Sequence, residues 1–196
     1  MEDIKDKKLK LRQEAKNQIN ALAEPELAKK RARIEEQLFE FANFKEAQTI
    51  LFHVSQGPEV NTQNIMLTCM QSGKNIVLPL FDKAGRKDPQ LYRINSLDED
   101  LQAGPETPRQ PDSDRCKPVS FDSVDIAIVP GAAFDEKGGR LGSGSGRYDR
   151  LIPMLPNTTR KVALSFEAQM FSQIPMEPHD KYVDIIITEK RIIYKI

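Results

Sequence analysis

The feature that most constrains this chain is a glycine-rich stretch from Val129 to Arg150. An apolar run precedes its glycines, and a segment in which a helix can begin follows them. Glycine loses more backbone entropy on folding than any other residue, so six glycines within sixteen positions need a physical reason. One reason is a loop whose backbone N–H groups surround an anion while arginines add charge. The other is a flexible linker. The preceding strand and the following Arg147-Tyr148-Asp149 favour the anion loop. The glycines are Gly131, Gly138, Gly139, Gly142, Gly144 and Gly146.

Neither of the two common nucleotide-binding patterns fits this stretch. No Gly-Lys-Ser/Thr follows the glycines, which excludes the Walker pattern, and a glycine at every second position across 142–146 does not match GxGxxG. The predicted anion site is therefore of another type. In it Ser143 and Ser145 add hydroxyl groups, and Arg140 and Arg147 can bind phosphate oxygens through two N–H groups each.

Apolar runs with strand-forming residues alternate with amphipathic segments along the chain. This alternation predicts an α/β fold in which residues 1–196 form a single domain, with a mainly parallel central sheet flanked by helices in three α/β/α layers. The predicted helices cover residues 3–22, 25–41 and 62–71, and a further helix is predicted within residues 148–155. The predicted strands cover residues 49–54, 75–81, 90–94, 124–129, 160–166, 183–188 and 191–196.

Ligands of parallel sheets bind at the carboxyl ends of the strands, so the loops there are expected to form the site. The loops after Val54, Leu80, Val129, Phe166 and Ile174 are predicted to converge on one cleft. Residues 95–118 contain several prolines and few apolar residues, which predicts a long surface connection that either closes over the site or stays mobile.

Composition excludes several classes of function. Lys plus Arg equals Asp plus Glu, at 29 each, so bulk charge implies no nucleic acid or other polyanionic partner. The apolar runs are too short to span a membrane, and the N-terminal residues lack a signal peptide's apolar region. Cys69 and Cys116 stand far apart, which argues against a disulfide framework or a zinc site. We expect a cytoplasmic protein, and we expect it to be a monomer.

The chemistry-bearing residues outside the glycine stretch allow more than one interpretation. Asp149 and Asp180 can together hold a Mg²⁺ ion, which prefers carboxylates, phosphate oxygens and water, although aspartates in such places are commonly turn or cap residues. His53 lies within an apolar strand and is interpreted as a hydrogen-bonded core histidine, and His179 as a loop residue. The lysines and arginines from Lys5 to Arg33 fit a solvated helix face. The inventory favours phosphoryl transfer, which needs positioning and charge neutralisation rather than a protein nucleophile.

The stretch from Val129 to Asp149 closely resembles the signature of the 5-formyltetrahydrofolate cyclo-ligase (5,10-methenyltetrahydrofolate synthetase) family. Further segments resemble the family in register: Lys8-x-x-Leu-Arg12, Glu59-Val-x-Thr62, Gly73-Lys74 before Val77-Leu-Pro79, Ala163-Leu-x-Phe-x-x-Gln169, Ile174-Pro175 and Asp180-x-x-Val-Asp184.

The resemblance implies an enzyme of one-carbon metabolism that uses ATP and Mg²⁺. The N5-formyl oxygen of 5-formyltetrahydrofolate is phosphorylated, N10 attacks the activated carbon, and loss of phosphate leaves 5,10-methenyltetrahydrofolate. The implied nucleotide-binding residues are Lys8, Arg12, Arg140, Gly142, Ser143, Gly144, Ser145, Gly146, Arg147 and Tyr148, among which Arg140, Arg147 and Tyr148 are implied to be catalytic. The implied folate contacts are Val54, Glu59, Ser143 and Arg147, and the implied metal ligands are Asp149 and Asp180.

Two positions depart from the family pattern. Ser145 stands where the family commonly has Lys or Gly, and Arg147 stands where it commonly has an aromatic residue. An arginine here removes a flat wall against the substrate, although a guanidinium group can stack in its place. An alternative is therefore a catalytically degenerate member that still binds folate or nucleotide. A third hypothesis is an ATP-dependent kinase of a related small amide.

Overall fold

A computed structural model describes residues 3–82, 87–102 and 109–195. Its helices are α1 (Ile4–Asn20), α2 (Glu24–Glu40), α3 (Ala42–Glu46), α4 (Thr62–Gln71) and α5 (Arg147–Leu151). Its strands are β1 (Thr49–Leu51), β2 (Asn75–Leu80), β3 (Gln90–Ile94), β4 (Leu101–Gln102), β5 (Gln110–Pro111), β6 (Lys117–Val119), β7 (Ile126–Ile128), β8 (Ala133–Phe134), β9 (Arg140–Leu141), β10 (Arg160–Leu164), β11 (Ile185–Ile187) and β12 (Ile192–Tyr194). Short 3₁₀ turns occupy Phe121–Ser123, Ile152–Met154 and Glu167–Gln169.

The central sheet has eight strands in the order β12-β11-β10-β7-β1-β2-β3-β6. The five strands from β11 to β2 run parallel to one another, and antiparallel strands close both edges. Two small antiparallel pairs, β4 with β5 and β8 with β9, lie outside this sheet. The predicted fold class, an α/β fold with a mainly parallel sheet flanked by helices, is confirmed.

Alternate residues of the parallel strands face two separate hydrophobic clusters, as the two-residue period of a strand requires. In β1, Ile50 packs into the cluster that also contains residues of α1 to α4, whereas Leu51 packs into the cluster beneath α5. In β10, Val162 and Ala163 divide in the same way. Helices therefore cover both faces, which explains why these strands read as continuous apolar runs in the sequence.

Several predicted boundaries need correction. The strand predicted for 49–54 ends at Leu51, and the strand predicted for 124–129 is confined to Ile126–Ile128. Residues 95–118 are not simply a surface connection, because β4, β5 and β6 lie there and Leu101 is buried. The apolar residues of this segment are few, but Leu97, Leu101 and Cys116 join the larger hydrophobic cluster. Residues 103–108, and residues 83–86 of the predicted polar turn after β2, lie outside the described residues.

Other local predictions are confirmed. Helix α4 covers the predicted residues, because Asn61 caps its first turn and Gly73 follows its end with a φ of 77°. The terminal hairpin is present as β11 and β12. No helix in the described part of the chain combines the length and the apolarity that a bilayer crossing demands.

Candidate active site

A cavity of about 350 Å³ opens at the carboxyl ends of the parallel strands. The predicted convergence of loops is confirmed for those after β1, β2 and β7, which line the cavity together with the glycine-rich loop between β9 and α5. Among the described residues, the loop after Ile174 does not line it, and neither does the loop after Phe166. That loop supports the wall from behind, because Gln169 donates from Nε2 to the Ala132 carbonyl oxygen at 3.0 Å and accepts from the Phe166 N–H at 3.0 Å.

The glycine-rich loop takes a backbone conformation that L side chains rarely adopt. Gly144 has a φ of 107°, and Gly146, directly before α5, has a φ of 65°. Arg12 of α1 braces the loop by donating from Nε to the Gly142 carbonyl oxygen at 2.8 Å. Ser143 and Ser145 are exposed at the mouth of the cavity. The loop is thus an ordered turn held by α1 rather than an unattached linker.

Arg140 is almost fully buried and joins three segments around the cavity. Its Nη2 lies 2.5 Å from Oδ1 of Asp149, its Nη1 donates to the Pro130 carbonyl oxygen at 3.1 Å, and its Nε donates to the Lys181 carbonyl oxygen at 3.3 Å. The Lys181 N–H in turn donates to the same Asp149 oxygen at 3.0 Å. The loop after β7, helix α5 and the loop at 174–181 are therefore fixed to one another through one guanidinium group.

Lys8 of α1 lies between two carboxylates of the loop at 174–181. Its Nζ is 2.7 Å from Oε2 of Glu177 and 2.5 Å from Oδ2 of Asp180. Burial alone would lower the pKa of Lys8, but the hydrogen bonds to Asp180 and Glu177 outweigh it and raise the pKa. Burial would raise the pKa of Asp180, but the hydrogen bonds from Lys8 and from the Glu177 N–H lower it. The Lys8 ammonium and the Asp180 carboxylate are thus charged at neutral pH.

The two aspartates predicted to bind metal lie in segments that touch. Asp149 accepts from the backbone N–H of Lys181, the residue that directly follows Asp180. Carboxylate oxygens suit Mg²⁺, and an ammonium group already pairs with one of the two carboxylates, so this place accommodates a cation. His179 is largely exposed beside Asp180, with its Nε2 at 3.5 Å from Oδ1 of that residue.

The cavity is also lined by Val54 and Glu59, the predicted folate contacts. The Glu59 carboxylate accepts from the Gln56 N–H at 3.0 Å, and desolvation raises its pKa although the residue as a whole is exposed at the rim. His53 also lines the cavity, with Nδ1 facing the Ile128 carbonyl oxygen at 3.4 Å. Burial lowers the pKa of His53 to about 4, so the imidazole is neutral at pH 7.

An aromatic pair flanks the glycine loop. The rings of Phe81 and Tyr148 meet edge to face with centroids 5.5 Å apart, and the guanidinium of Arg147 lies over the Phe81 ring at 5.6 Å. Burial raises the pKa of Tyr148; the charge of Arg140 opposes this rise and that of Glu59 adds to it. Tyr148 therefore presents a neutral hydroxyl group.

Among the cavity residues that sequence reasoning missed are Phe81, Arg109 and Gln110. Gln110 of β5 accepts from the Phe81 N–H through Oε1 at 2.9 Å, which brings the segment around 109–111 against the end of β2. The proline-rich composition of that segment predicted a surface connection. Only the polar Arg109-Gln110 pair next to Pro111 hinted at a role, and that signal is too weak to use alone.

Comparisons with known proteins identify the family of the chain. The model described as the 5-formyltetrahydrofolate cyclo-ligase family matches residues 4–189. The 5-formyltetrahydrofolate cyclo-ligase of Mus musculus is 28% identical, over 91% of this chain and 92% of its own length. That of Mycolicibacterium smegmatis is 29% identical, over 74% of this chain and 75% of its own.

Solved structures give the same result. The 5,10-methenyltetrahydrofolate synthetase of Aquifex aeolicus superposes with a TM-score of 0.82 at 28% identity, over 96% of this chain and 92% of that chain. The 5,10-methenyltetrahydrofolate synthetase of Mycoplasma pneumoniae has a TM-score of 0.71 at 19% identity, which shows that the two chains share a fold. The family resemblance predicted from the sequence is confirmed.

Proposed function

The chain belongs to the 5-formyltetrahydrofolate cyclo-ligase family, and from this premise we propose that it uses ATP to convert 5-formyltetrahydrofolate to 5,10-methenyltetrahydrofolate. The observation that carries the proposal is the hydrogen bond from the Lys181 N–H to Asp149. It joins the end of the glycine loop to the segment containing Asp180, so the residues suited to phosphate and to a divalent cation meet beside one cavity.

The nucleotide is proposed to bind at the glycine loop and at the neighbouring side chains of α1. Backbone N–H groups of residues 142–146 and the Arg147 guanidinium would surround phosphate oxygens, with Lys8 and Arg12 adding charge from α1. Arg140 lines the cavity, but its named hydrogen bonds all go to protein groups. Its main contribution is therefore to hold Asp149 and the loop at 174–181 in place, with its positive charge beside the phosphates.

Asp149 and Asp180 are proposed to hold Mg²⁺, which when bound would neutralise charge on the phosphate oxygens. The protein's own part in the phosphorylation step is to keep donors fixed where charge develops. Tyr148, neutral and next to the loop, can donate a hydrogen bond to a phosphate oxygen of the nucleotide. No protein nucleophile is needed, because N10 of the substrate attacks the activated carbon.

The folate end is proposed to lie at Val54 and Glu59, with Ser143 and Arg147 bordering both ligands. A Glu59 carboxylate can accept N–H bonds from the amino-pyrimidine edge of the pterin. We further propose that residues 1–196 act as one domain and a monomer on a small-molecule substrate, with or without additional glutamyl groups. A cytoplasmic location and the absence of nucleic acid and membrane partners remain predictions from composition.

The test is direct. Purified protein with Mg-ATP and 5-formyltetrahydrofolate is expected to generate the methenyl chromophore together with ADP in equal amounts. A control cyclo-ligase measured in parallel establishes that the assay works. Ligand-induced thermal stabilisation without chromophore or ADP would overturn the proposed activity and identify a degenerate binding protein instead.

A further inference from the structure

Glu177 is an acidic residue at the candidate metal site to which the sequence assigned no role. Its Oε2 lies 2.7 Å from the Lys8 ammonium, and its backbone N–H donates to Oδ2 of Asp180 at 2.7 Å. The same Asp180 oxygen lies 2.5 Å from Lys8. The side chains of Lys8 and Asp180 are 9% and 12% exposed, whereas that of Glu177 is 30% exposed. Lys8 is thus shared between a well-shielded and a more open carboxylate.

The charges of this group do not balance. One ammonium serves two carboxylates, which leaves one formal negative charge in excess. A divalent cation arriving at Asp180 would therefore meet an attractive site, and Lys8 would still have a carboxylate partner if it gave up Asp180. Were Glu177 absent, Lys8 and Asp180 would form a neutral pair, and the incoming cation would have to leave a largely buried ammonium without a partner. Uncompensated charges of that kind are strongly unfavourable.

We propose that Glu177 is a positioning residue that retains the Lys8 ammonium beside the nucleotide site when Asp180 turns to the divalent cation. This inference rests on the proposed function. Lys8 stands one helical turn before Arg12, so both point from the same face of α1. Arg12 reaches the glycine loop through its bond to Gly142, and Lys8 held at Glu177 stays on the side of α1 from which Arg12 braces that loop. In this role Glu177 acts through Lys8, although its carboxylate lies within 4.8 Å of ligand atoms of His179 and Asp180.

The experiment measures Mn²⁺ binding to the full chain without nucleotide, from the electron paramagnetic resonance signal of free Mn²⁺. Glu177→Gln is expected to lower Mn²⁺ affinity about 10-fold, since Lys8 then competes fully for Asp180. Lys8→Met is expected to raise that affinity. The exposed Glu46→Gln serves as the matched control and should leave it unchanged.

A double-mutant cycle distinguishes positioning from a direct role. If Glu177 acts through Lys8, Glu177→Gln in the Lys8→Met background changes Mn²⁺ affinity less than about twofold. An undiminished effect in that background would overturn the proposal, because it would mean that Glu177 binds the metal or acts by its field alone. Lys8→Gln replaces Lys8→Met if the latter unfolds, as thermal unfolding will report.

Steady-state kinetics supply a second readout. Glu177→Gln is expected to raise the KM for Mg-ATP and to leave the KM for folate unchanged, whereas a general loss of structure would raise both. An unchanged KM for Mg-ATP would also overturn the proposal. Failure of the proposed function is seen separately, as wild-type protein that forms no chromophore.

Discussion

The guanidinium carbon of Arg147 lies 5.6 Å from the centroid of the Phe81 ring, and the same ring meets Tyr148 edge to face. The sequence placed an arginine where related proteins commonly carry an aromatic side chain, which predicted the loss of a flat wall. The structure retains a wall built from Phe81 and Tyr148, with the Arg147 guanidinium over the Phe81 face. A planar cation on an aromatic ring is a favourable contact of about 0.5–2 kcal/mol.

The Arg147 contact predicts how substitutions at this position affect folate binding. Arg147→Ala should raise the KM for 5-formyltetrahydrofolate about fivefold, corresponding to about 1 kcal/mol of lost contact, because the wall loses its outer layer. Arg147→Tyr should keep the KM within about twofold of wild type, since a second ring can stack on Phe81. The KM values come from the initial rate of chromophore formation. The exposed Arg160→Ala is the control, and an Arg147→Ala protein with an unchanged KM would contradict the prediction.

The Arg140 clamp predicts a stability effect. Arg140→Lys keeps the charge but cannot reproduce the three-way contact with Asp149, Pro130 and Lys181, so it should lower the free energy of unfolding by about 2–4 kcal/mol. Urea denaturation measures that free energy, and Arg160→Lys at an exposed strand end is the matched control. Equal midpoints for the two variants would show that the clamp is not needed for stability.

Local signals in the sequence predict much of this fold but only part of the site. The ends of helix α4 are predicted by two neighbouring residues, Asn61 and Gly73. The parallel strands are predicted by continuous apolar runs, because both of their faces are buried. The contact between Lys8 and Asp180 has no such signal, since the two residues lie 172 positions apart. It forms because α1 packs near the loop at 174–181.

The placement of Gln110 against Phe81 likewise depends on tertiary packing. This contact requires the segment of β5 to fold back on β2, and a Pro-rich composition does not predict such packing. The glycine loop lies between these extremes. Its composition predicted an anion-binding turn, but the arginine that holds the turn, Arg12, comes from a helix whose charges read as a solvated face.

Gly142 and Gly146 of the loop are predicted to be required for different reasons, the first for space and the second for its backbone conformation. A Cβ at Gly142 would lie 2.8 Å from Nη1 of Arg140, and that side chain is held by its bonds and cannot move aside easily. A Cβ at Gly146 meets nothing within 4 Å, so a substitution there costs only the strain of a φ of 65°. Gly142→Ala should therefore reduce kcat and stability together, whereas Gly146→Ala should cost about 1 kcal/mol of stability.

Gly73→Ala is the control for strain alone, because Gly73 has a φ of 77° and nothing within 4 Å of a Cβ. Its stability loss should match that of Gly146→Ala, and its kcat should equal that of wild type. Both quantities are measured by urea denaturation and by the chromophore assay. A Gly142→Ala protein no worse than Gly73→Ala would contradict the role given to Arg140 in limiting the space at Gly142.

His53 predicts a stability loss on acidification. Its folded-state pKa is lowered to about 4 by burial, from an ordinary value of 6.5, so the imidazole stays neutral in the native protein while the unfolded chain takes up a proton. The native state therefore loses stability as the pH falls from about 6.5 towards 4, by up to about 3 kcal/mol from this residue alone. His53→Gln removes the titrating group, so urea denaturation at about pH 7 and about pH 4.5 should show a smaller difference than in wild type. If His53→Gln keeps the wild-type difference, the buried imidazole is not the source of the acid sensitivity.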